Sequence, residues 1–329
     1  MSTVSKFLIF FVYFNDGFQS IVLRKGQTGM EKKKDILSII VIALLIIISA
    51  TGVLSLDFTK SYEVMNQYGD TVKMYGNGIY ARDSYFAAVL FIGTDFMILF
   101  LFVPLFIHTY FQNAKKPGNI TGLKLLSVYS VALYYAAVLC FGVTYNRFHL
   151  LYIGLFSCTL FGLFSTIRGI KAEELDYDAS KGLKAFLVLG GVVLIVAWIP
   201  DIIQTIVSNT APPFIDVYTT SVTNVLDIGI IGPLFLVCLY LLNKKDGLAV
   251  IILASLLKAC IMVGMMLIIQ TTCQMIAGIE IPLPQLVTKV FTFLLMSGFA
   301  FYFNHRLYSS LSQLRKKLTD DASLNGSLQ

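Results

Sequence analysis

Residues 30–57 read MEKKKDILSIIVIALLIIISATGVLSLD, a short basic segment followed by an almost uninterrupted apolar run. An α-helix crosses the roughly 30 Å hydrocarbon core of a bilayer with about 20 apolar residues, so the run that begins at Ile36 is long enough to span a membrane. It also exceeds the apolar core of a cleavable signal peptide, which is about 7–15 residues long. This stretch therefore predicts an anchored membrane protein.

The rest of the chain repeats this pattern. The composition is 57% hydrophobic and 13% charged, whereas roughly a quarter of the residues in a typical soluble domain are charged. The sequence therefore predicts an all-α, polytopic bundle of about eight transmembrane helices. The predicted spans are 36–57, 84–111, 121–145, 148–170, 183–206, 218–242, 247–277 and 285–308.

Lysine and arginine fall almost entirely on alternate connections. The connections opposite the basic start carry only Lys60, Lys73, Arg82 and Arg147. The positive-inside rule then places both termini in the cytoplasm. The basic cytoplasmic connections account for the net charge of +6. No nucleic-acid partner is therefore expected. The basic connections carry Lys32, Lys33, Lys34, Lys115, Lys116, Arg168, Lys171, Lys181, Lys184, Lys244, Lys245, Arg306, Arg315, Lys316 and Lys317.

The two ends of the chain flank this bundle. Residues 1–29 contain an apolar segment, Phe7–Phe14, that is too short to span a bilayer. We expect translation to begin at Met30, with an interfacial segment on the cytoplasmic face as the alternative. The transmembrane domain is predicted over 30–309, followed by a short cytoplasmic tail over 310–329.

An internal repeat of four plus four helices is one interpretation of the two halves. The second helix carries Asp95 and then Pro104, and the sixth carries Asp227 and then Pro233. Four helices per half would give parallel repeats about an axis along the membrane normal. The spacing from aspartate to proline differs between the halves, so coincidence stays open as the alternative.

Three charged residues fall deep within the predicted spans. Asp95 lies about 16 Å and Asp227 about 14 Å from the outer ends of their helices, and Lys258 lies about 16 Å from the inner end of the seventh. Such charges are costly and commonly mark pathways or binding sites. Thr223 and Asn224 share a helical face with Asp227. These five residues are the candidate substrate-binding or ion-binding site, and a structural ion pair between Lys258 and one aspartate is the alternative.

Asp201 and Lys289 form a second, outer layer near the helix ends. An outer vestibule is one interpretation, and interfacial anchoring beside Trp198 is the other. The sequence has none of the common hydrolase, metalloprotease or nucleotide-binding motifs. No catalytic residue, metal site or cofactor is predicted, and an intramembrane enzyme is the least favoured class.

The longest outside connection, 58–83, contains several tyrosines and glycines. The segment Thr71–Tyr80 predicts a small hairpin that turns at Gly76-Asn77-Gly78. This connection would either cap the helix ends or bind a protein partner.

Several short stretches share features with a known group of proteins. They are Tyr75–Tyr80 (YGNGIY) with Asp83-Ser84, Gly93-Thr-Asp95, Thr223–Gly229 (TNVLDIG) with Gly232-Pro-Leu234, and Leu257-Lys258. Together they resemble an uncharacterised family of bacterial multi-pass membrane proteins of about eight helices. The resemblance covers roughly Gly69 to Ile261, excludes residues 1–29, and implies a bacterial cytoplasmic membrane and a role for Asp95, Asp227 and Lys258. It brings no activity with it.

Two classes of function follow from these features. The first is a transporter-like protein, surrounded by membrane lipids, that binds a small solute or ion at a midplane site. The second is a membrane sensor, immunity factor or assembly component whose buried charges are structural and whose outer loop binds a partner.

Overall fold

A computed structural model describes residues 36–212, 215–281, 283 and 286–326. The described residues form an all-α bundle of eight helices, as the sequence predicts. The ends of the first seven helices agree with the predicted spans to about one helical turn. The eighth helix differs: it runs over Thr292–Gly326 and not over 285–308, so it includes most of the predicted tail over 310–329. The segment 1–29, the start at Met30 and Lys32–Lys34 lie outside the described residues. The helices are α1 Ile36–Leu54, α2 Tyr85–Lys115, α3 Asn119–Gly142, α4 His149–Arg168, α5 Lys181–Ser208, α6 Val222–Asn243, α7 Leu248–Ile276 and α8 Thr292–Gly326.

Helices α1 to α7 are each long and apolar enough to cross a membrane. A turn of π-helix, Leu286–Phe291, precedes α8, and the two together occupy the place of the eighth predicted span. Large apolar side chains on the bundle surface, such as Phe100 at 60% exposure and Ile206 at 73%, would be costly to leave in water. The protein is therefore an integral, multi-pass membrane protein whose helices contact lipid.

Helix α7 lies at the centre of the bundle and packs on α2, α3, α6 and α8. Helix α1 packs on α2 and α4, and α5 packs on α6. Glycines allow the helices to approach closely, because a Cβ atom at Gly93 would lie 2.7 Å from the backbone of Gln270 on α7. Close packing through small residues is typical of membrane helices, since lipid provides no hydrophobic drive for their association.

The connections at one end of the bundle, which we call the hairpin end, contact one another. Its described residues are 55–84, 143–148, 209–212, 215–221, 277–281 and 283. Asn66 Nδ2 donates to the carbonyl of Asp216 across two of these connections. Tyr85 Oη, at the start of α2, donates to the carbonyl of Ala277 in a third.

The opposite end, which we call the lysine end, comprises 116–118, 169–180 and 244–247. Asn119 Nδ2 donates to Glu174 there, and Lys245 pairs with Asp178. The assignment of the lysine end to the cytoplasm stays a prediction, as does the four-plus-four repeat.

A hairpin forms in this connection, but it is not the predicted one over Thr71–Tyr80. Strand β1, Tyr62–Met65, pairs antiparallel with β2, Thr71–Met74, and the chain turns between them at Asn66–Asp70. Gly69 has a φ of 87° there, a conformation that glycine adopts without steric cost. The sequence Gly76-Asn77-Gly78 instead leads into a short 3₁₀ turn, Gly78–Tyr80.

Candidate functional site

The Asp95 carboxylate is buried on α2, with 0% of the residue exposed. Tyr80 Oη donates to Asp95 Oδ2 at 2.6 Å, and Tyr135 Oη donates to Oδ1 at 2.5 Å. Tyr80 comes from the connection after β2, and Tyr135 from the middle of α3. Two neutral hydroxyls therefore join the hairpin-end connection and α3 to the same carboxylate.

Gly52 on α1 provides the space for this carboxylate. A Cβ atom at position 52 would overlap the Asp95 carboxyl group. Helix α1 thus passes directly over Asp95. Any side chain larger than hydrogen at position 52 would push α1 and the Asp95 carboxyl group apart. We refer to Asp95, Tyr80 and Tyr135 as the Asp95 cluster.

Asp227 on α6 has its own pair of donors. Tyr134 Oη on α3 donates to Oδ1 at 3.0 Å, and Trp198 Nε1 on α5 donates to Oδ2 at 3.1 Å. Asp227 retains 8% exposure. We refer to Asp227, Tyr134 and Trp198 as the Asp227 cluster.

A break in α5 places Trp198 at this site. The α-helix runs to Val196 and resumes at Ile199, with Pro200 in the first turn of the second part. Because proline cannot donate a backbone hydrogen bond, it is tolerated at a helix start and interrupts a continuous helix. The interruption leaves the indole of Trp198 beside Asp227, in the bundle.

The two aspartate-bearing helices contain the same irregularity. A π-helical turn follows Asp95 at Ile98–Phe102, and another begins at Asp227 and runs to Ile231. Each is followed two residues later by proline, Pro104 or Pro233. Proline removes one backbone donor from the helix, and π turns of this kind occur frequently at functional sites.

Thr223 and Asn224 are half-buried on the first turn of α6. Their described side-chain partner is Ser221, whose Oγ donates to Asn224 Oδ1 at 2.9 Å and lies 3.4 Å from Thr223 Oγ1. Their backbone carbonyls, not their side chains, accept from the Asp227 N–H. The structure therefore places them one turn from the carboxylate without joining them to it.

Lys258 on α7 is half-buried. Within the described part of the chain it forms no hydrogen bond or ion pair, and the pairs found there are Lys60–Asp57, Lys171–Glu174 and Lys245–Asp178. The structural ion pair between Lys258 and Asp95 or Asp227, which was the alternative to a binding site, is therefore not formed among the described residues. Its charged neighbour is Lys124 on α3.

The structure describes the side chain of only one of the two residues in the predicted outer layer. Asp201 lies half-buried in the second part of α5, where its backbone carbonyl accepts from Thr205 Oγ1. Lys289 falls in the π turn before α8, and its side chain lies outside the described residues. The vestibule that these residues would form stays a prediction.

The Asp83 side chain links connections of the hairpin end by hydrogen bonds. Its Oδ1 accepts from the Thr144 N–H at 2.8 Å and from Tyr218 Oη at 2.9 Å. Burial raises the pKa of Asp83 to about 6, and the two donors act in the opposite direction. The carboxyl group thereby joins three connections that are distant in sequence.

Sequence reasoning identified both buried aspartates and missed their donors. Tyr80, Tyr134, Tyr135 and Trp198 occur in or beside apolar spans, where aromatic residues are common packing residues. The adjacent pair Tyr134-Tyr135 was the available signal, because two hydroxyl groups in the middle of an apolar span need partners.

Comparison of the chain with protein-family models, with curated proteins and with solved structures finds no match. The multi-pass membrane architecture is confirmed by the structure. The resemblance to a bacterial family and the bacterial location stay predictions.

Proposed function

We propose that this protein is a transporter of a small solute or ion in which Asp227 binds a proton or a monovalent cation. The observation that carries the proposal is the environment of its carboxylate, which is buried among α3, α5 and α6 and held by neutral donors. A carboxylate that is buried in a membrane protein without a cation is costly. A bound proton or cation removes that cost.

The hydrogen bonds to Asp227 leave part of its acceptor capacity for such a ligand. An ionised carboxylate offers about four lone-pair positions, and the donors Tyr134 and Trp198 account for two of them. The π turn that begins at Asp227 adds irregular backbone beside the carboxylate. Ion sites in transporters are commonly built at such interrupted helices.

The Asp95 cluster is better suited to holding the bundle together. Its hydrogen bonds are shorter, at 2.5 and 2.6 Å, and Gly52 closes over the carboxyl group. We therefore assign the exchangeable ligand to Asp227 and a structural role to Asp95.

The experiment measures thermal unfolding in nanodiscs while pH, Na⁺, K⁺ and Li⁺ are varied one at a time. A ligand at about a hundred times its dissociation constant should stabilise the protein by about 2.7 kcal/mol. Wild-type protein should respond to a proton or to one cation, and Asp227→Asn should lose that response. Asp178→Asn, which removes an exposed carboxylate at the lysine end, is the matched control and should keep it.

Flux completes the test. Proteoliposomes that contain a dye sensitive to the proton or to the cation that stabilises the protein should show movement of that ion with wild-type protein and none with Asp227→Asn. Equal responses and equal flux in both proteins would exclude Asp227 as the coupling residue.

A second candidate function, a membrane sensor, immunity factor or assembly component, is supported by the hairpin. Met65, Tyr68 and Tyr62 are 76%, 49% and 44% exposed there, which leaves an apolar surface available to a partner protein. Met65→Ser with Tyr68→Ser should abolish partner capture and leave ion responses unchanged. Loss of the ion response with retained capture would instead contradict this candidate.

The basic connections support a cytoplasmic lysine end, and hence cytoplasmic termini. The loops at this end carry Lys116, Lys171, Lys244 and Lys245 among their residues, as the positive-inside rule requires of a cytoplasmic face.

A further inference from the structure

Lys124 on α3 and Lys258 on α7 both lie in the lysine-end half of the bundle. Lys124 lies five residues into α3 and Lys258 ten residues into α7, which corresponds to about 8 Å and about 15 Å from the lysine end. Both residues are half-buried. Helical side chains lean toward the helix start, so both ammonium groups are directed toward the lysine end.

Hydroxyl groups connect the three helices around these lysines. Ser130 Oγ on α3 lies 2.9 Å from Ser255 Oγ on α7. Ser127 Oγ on α3 lies 3.4 Å from Tyr308 Oη on α8, and the Lys124 ammonium lies 5.5 Å from the Tyr308 ring. The lysines therefore lie beside a polar seam between α3, α7 and α8, which we call the lysine cleft.

The charge of the lysine cleft is uncompensated within the described residues. Neither Lys124 nor Lys258 forms an ion pair with a carboxylate there. The two ammonium groups also repel each other, because Lys124 is the charged neighbour of Lys258. Like charges that lie close together in a medium of low dielectric constant require a counter-ion or water.

A second observation comes from Asn304. It lies one helical turn before Tyr308 and therefore on the same face of α8. Its Oδ1 atom is buried and has no hydrogen-bond partner in the described structure. Rotation of the amide by 180° would present its NH₂ group at that position, where an acceptor oxygen would satisfy it.

We propose that the lysine cleft binds a phosphate group, with Lys124 and Lys258 as its charged ligands and with Ser127, Tyr308 and Asn304 as neutral donors. A phosphate group supplies the negative charge that two lysines need and several acceptor oxygens for the hydroxyl and amide groups. Lysine binds phosphate as a point charge. Basic pockets between membrane helices commonly bind lipid headgroups, and a free phosphate anion has the same chemistry.

The experiment uses the full chain in a maltoside detergent that contains no phosphate. Thermal unfolding is measured during titration with inorganic phosphate, with phosphatidylglycerol, with phosphatidylcholine, and with chloride at matched ionic strength. Stabilisation by inorganic phosphate would identify a free anion as the ligand. Stabilisation by phosphatidylglycerol alone would identify a lipid headgroup.

Lys124→Gln and Lys258→Gln should each weaken binding at least about tenfold, which is the change expected for about 1.4 kcal/mol. Lys116→Gln removes the same charge from an exposed loop position at the lysine end and should bind like wild type. Lys258→Arg keeps the charge and tests the site if Lys258→Gln fails to fold.

The proposal would be overturned if chloride stabilised the protein equally, or if neither inorganic phosphate nor phosphatidylglycerol stabilised it. Unchanged affinity in the glutamine variants would also overturn it. Asp227→Asn should bind phosphate normally, so the outcome is independent of the proposed function.

Discussion

Tyr134 and Tyr135 are adjacent in the sequence, yet their hydroxyl groups donate to two different aspartates, Asp227 and Asp95. Consecutive residues of an α-helix point about 100° apart, so α3 presents one tyrosine to α6 and the other to α2. A single helix turn therefore connects both buried carboxylates.

The two tyrosines should respond differently to removal of the hydroxyl group. Tyr135→Phe leaves Asp95 with one donor in a fully buried position, and we expect a loss of about 1–3 kcal/mol in the free energy of unfolding. Tyr134→Phe should cost less stability and should alter the response to protons or cations. Thermal unfolding across pH and cation concentration measures both effects, and identical profiles for the two variants would contradict this division of roles.

Gly52 should not tolerate a methyl group. Gly52→Ala places a Cβ atom on the Asp95 carboxyl group, and overpacking in a filled core costs about 1–3 kcal/mol. Gly298→Ala is the matched control, because a Cβ atom there meets no atom within 4 Å. The melting temperatures of the two variants in detergent provide the comparison, and equal values would show that α1 can move away from Asp95.

The hairpin end should lose stability as pH rises through the titration of Asp83. Its pKa is about 6 in the folded protein, above the ordinary 3.8, so the folded state binds this proton more tightly than the unfolded state. Protonation of Asp83 therefore adds about 3 kcal/mol to the free energy of unfolding below about pH 4. This stabilisation is lost as pH rises to about 6.

Melting temperatures of wild type and Asp83→Asn between pH 4 and 8 test this expectation. The difference between the two proteins should change mainly over that window. A difference that is constant with pH would show that Asp83 does not titrate there.

Replacing Lys258 by methionine should cost little stability. Breaking a buried ion pair costs about 3–5 kcal/mol, because the remaining charge is left unpaired. Lys258 has no such pair within the described residues. Lys258→Met measured in phosphate-free detergent should therefore unfold near the wild-type temperature, and a loss of several kcal/mol would restore the ion-pair interpretation.

Cysteine labelling tests the orientation of the bundle. Ser61→Cys lies at the hairpin end and Lys116→Cys at the lysine end, and both positions are exposed. An impermeant maleimide added to intact cells should label position 61 and spare position 116. The reverse pattern would place the lysine end outside, and the wild-type protein provides the background of its native cysteines.

The membrane helices were predictable because each depends on a local property, an apolar run of sufficient length. The partners of Asp95 were not, since Tyr80 and Tyr135 are separated from it by 15 and 40 residues. Such contacts depend on helix rotation and on glycines that let helices approach. The hairpin was placed at Thr71–Tyr80 because Gly76-Asn77-Gly78 is a stronger local turn signal than Asn66–Asp70. The chain does reverse after Gly76, whose N–H donates to the carbonyl of Ala81. The paired strands, however, are Tyr62–Met65 and Thr71–Met74.

The π turns in α2 and α6 also change how these helices respond to altered chain length. Each accommodates one residue more than a regular α-helical turn, so the residues before and after it follow different helical frames. Deleting one residue within Ile98–Phe102, or within the part of the second turn that follows Asp227, would convert the turn to α-helix and keep both flanking faces in their present orientation. The same deletion elsewhere in either helix would rotate one half by about 100°. A single-residue deletion within either π turn should therefore be tolerated. A single-residue deletion in the regular helix on either side should disrupt the packing of that helix.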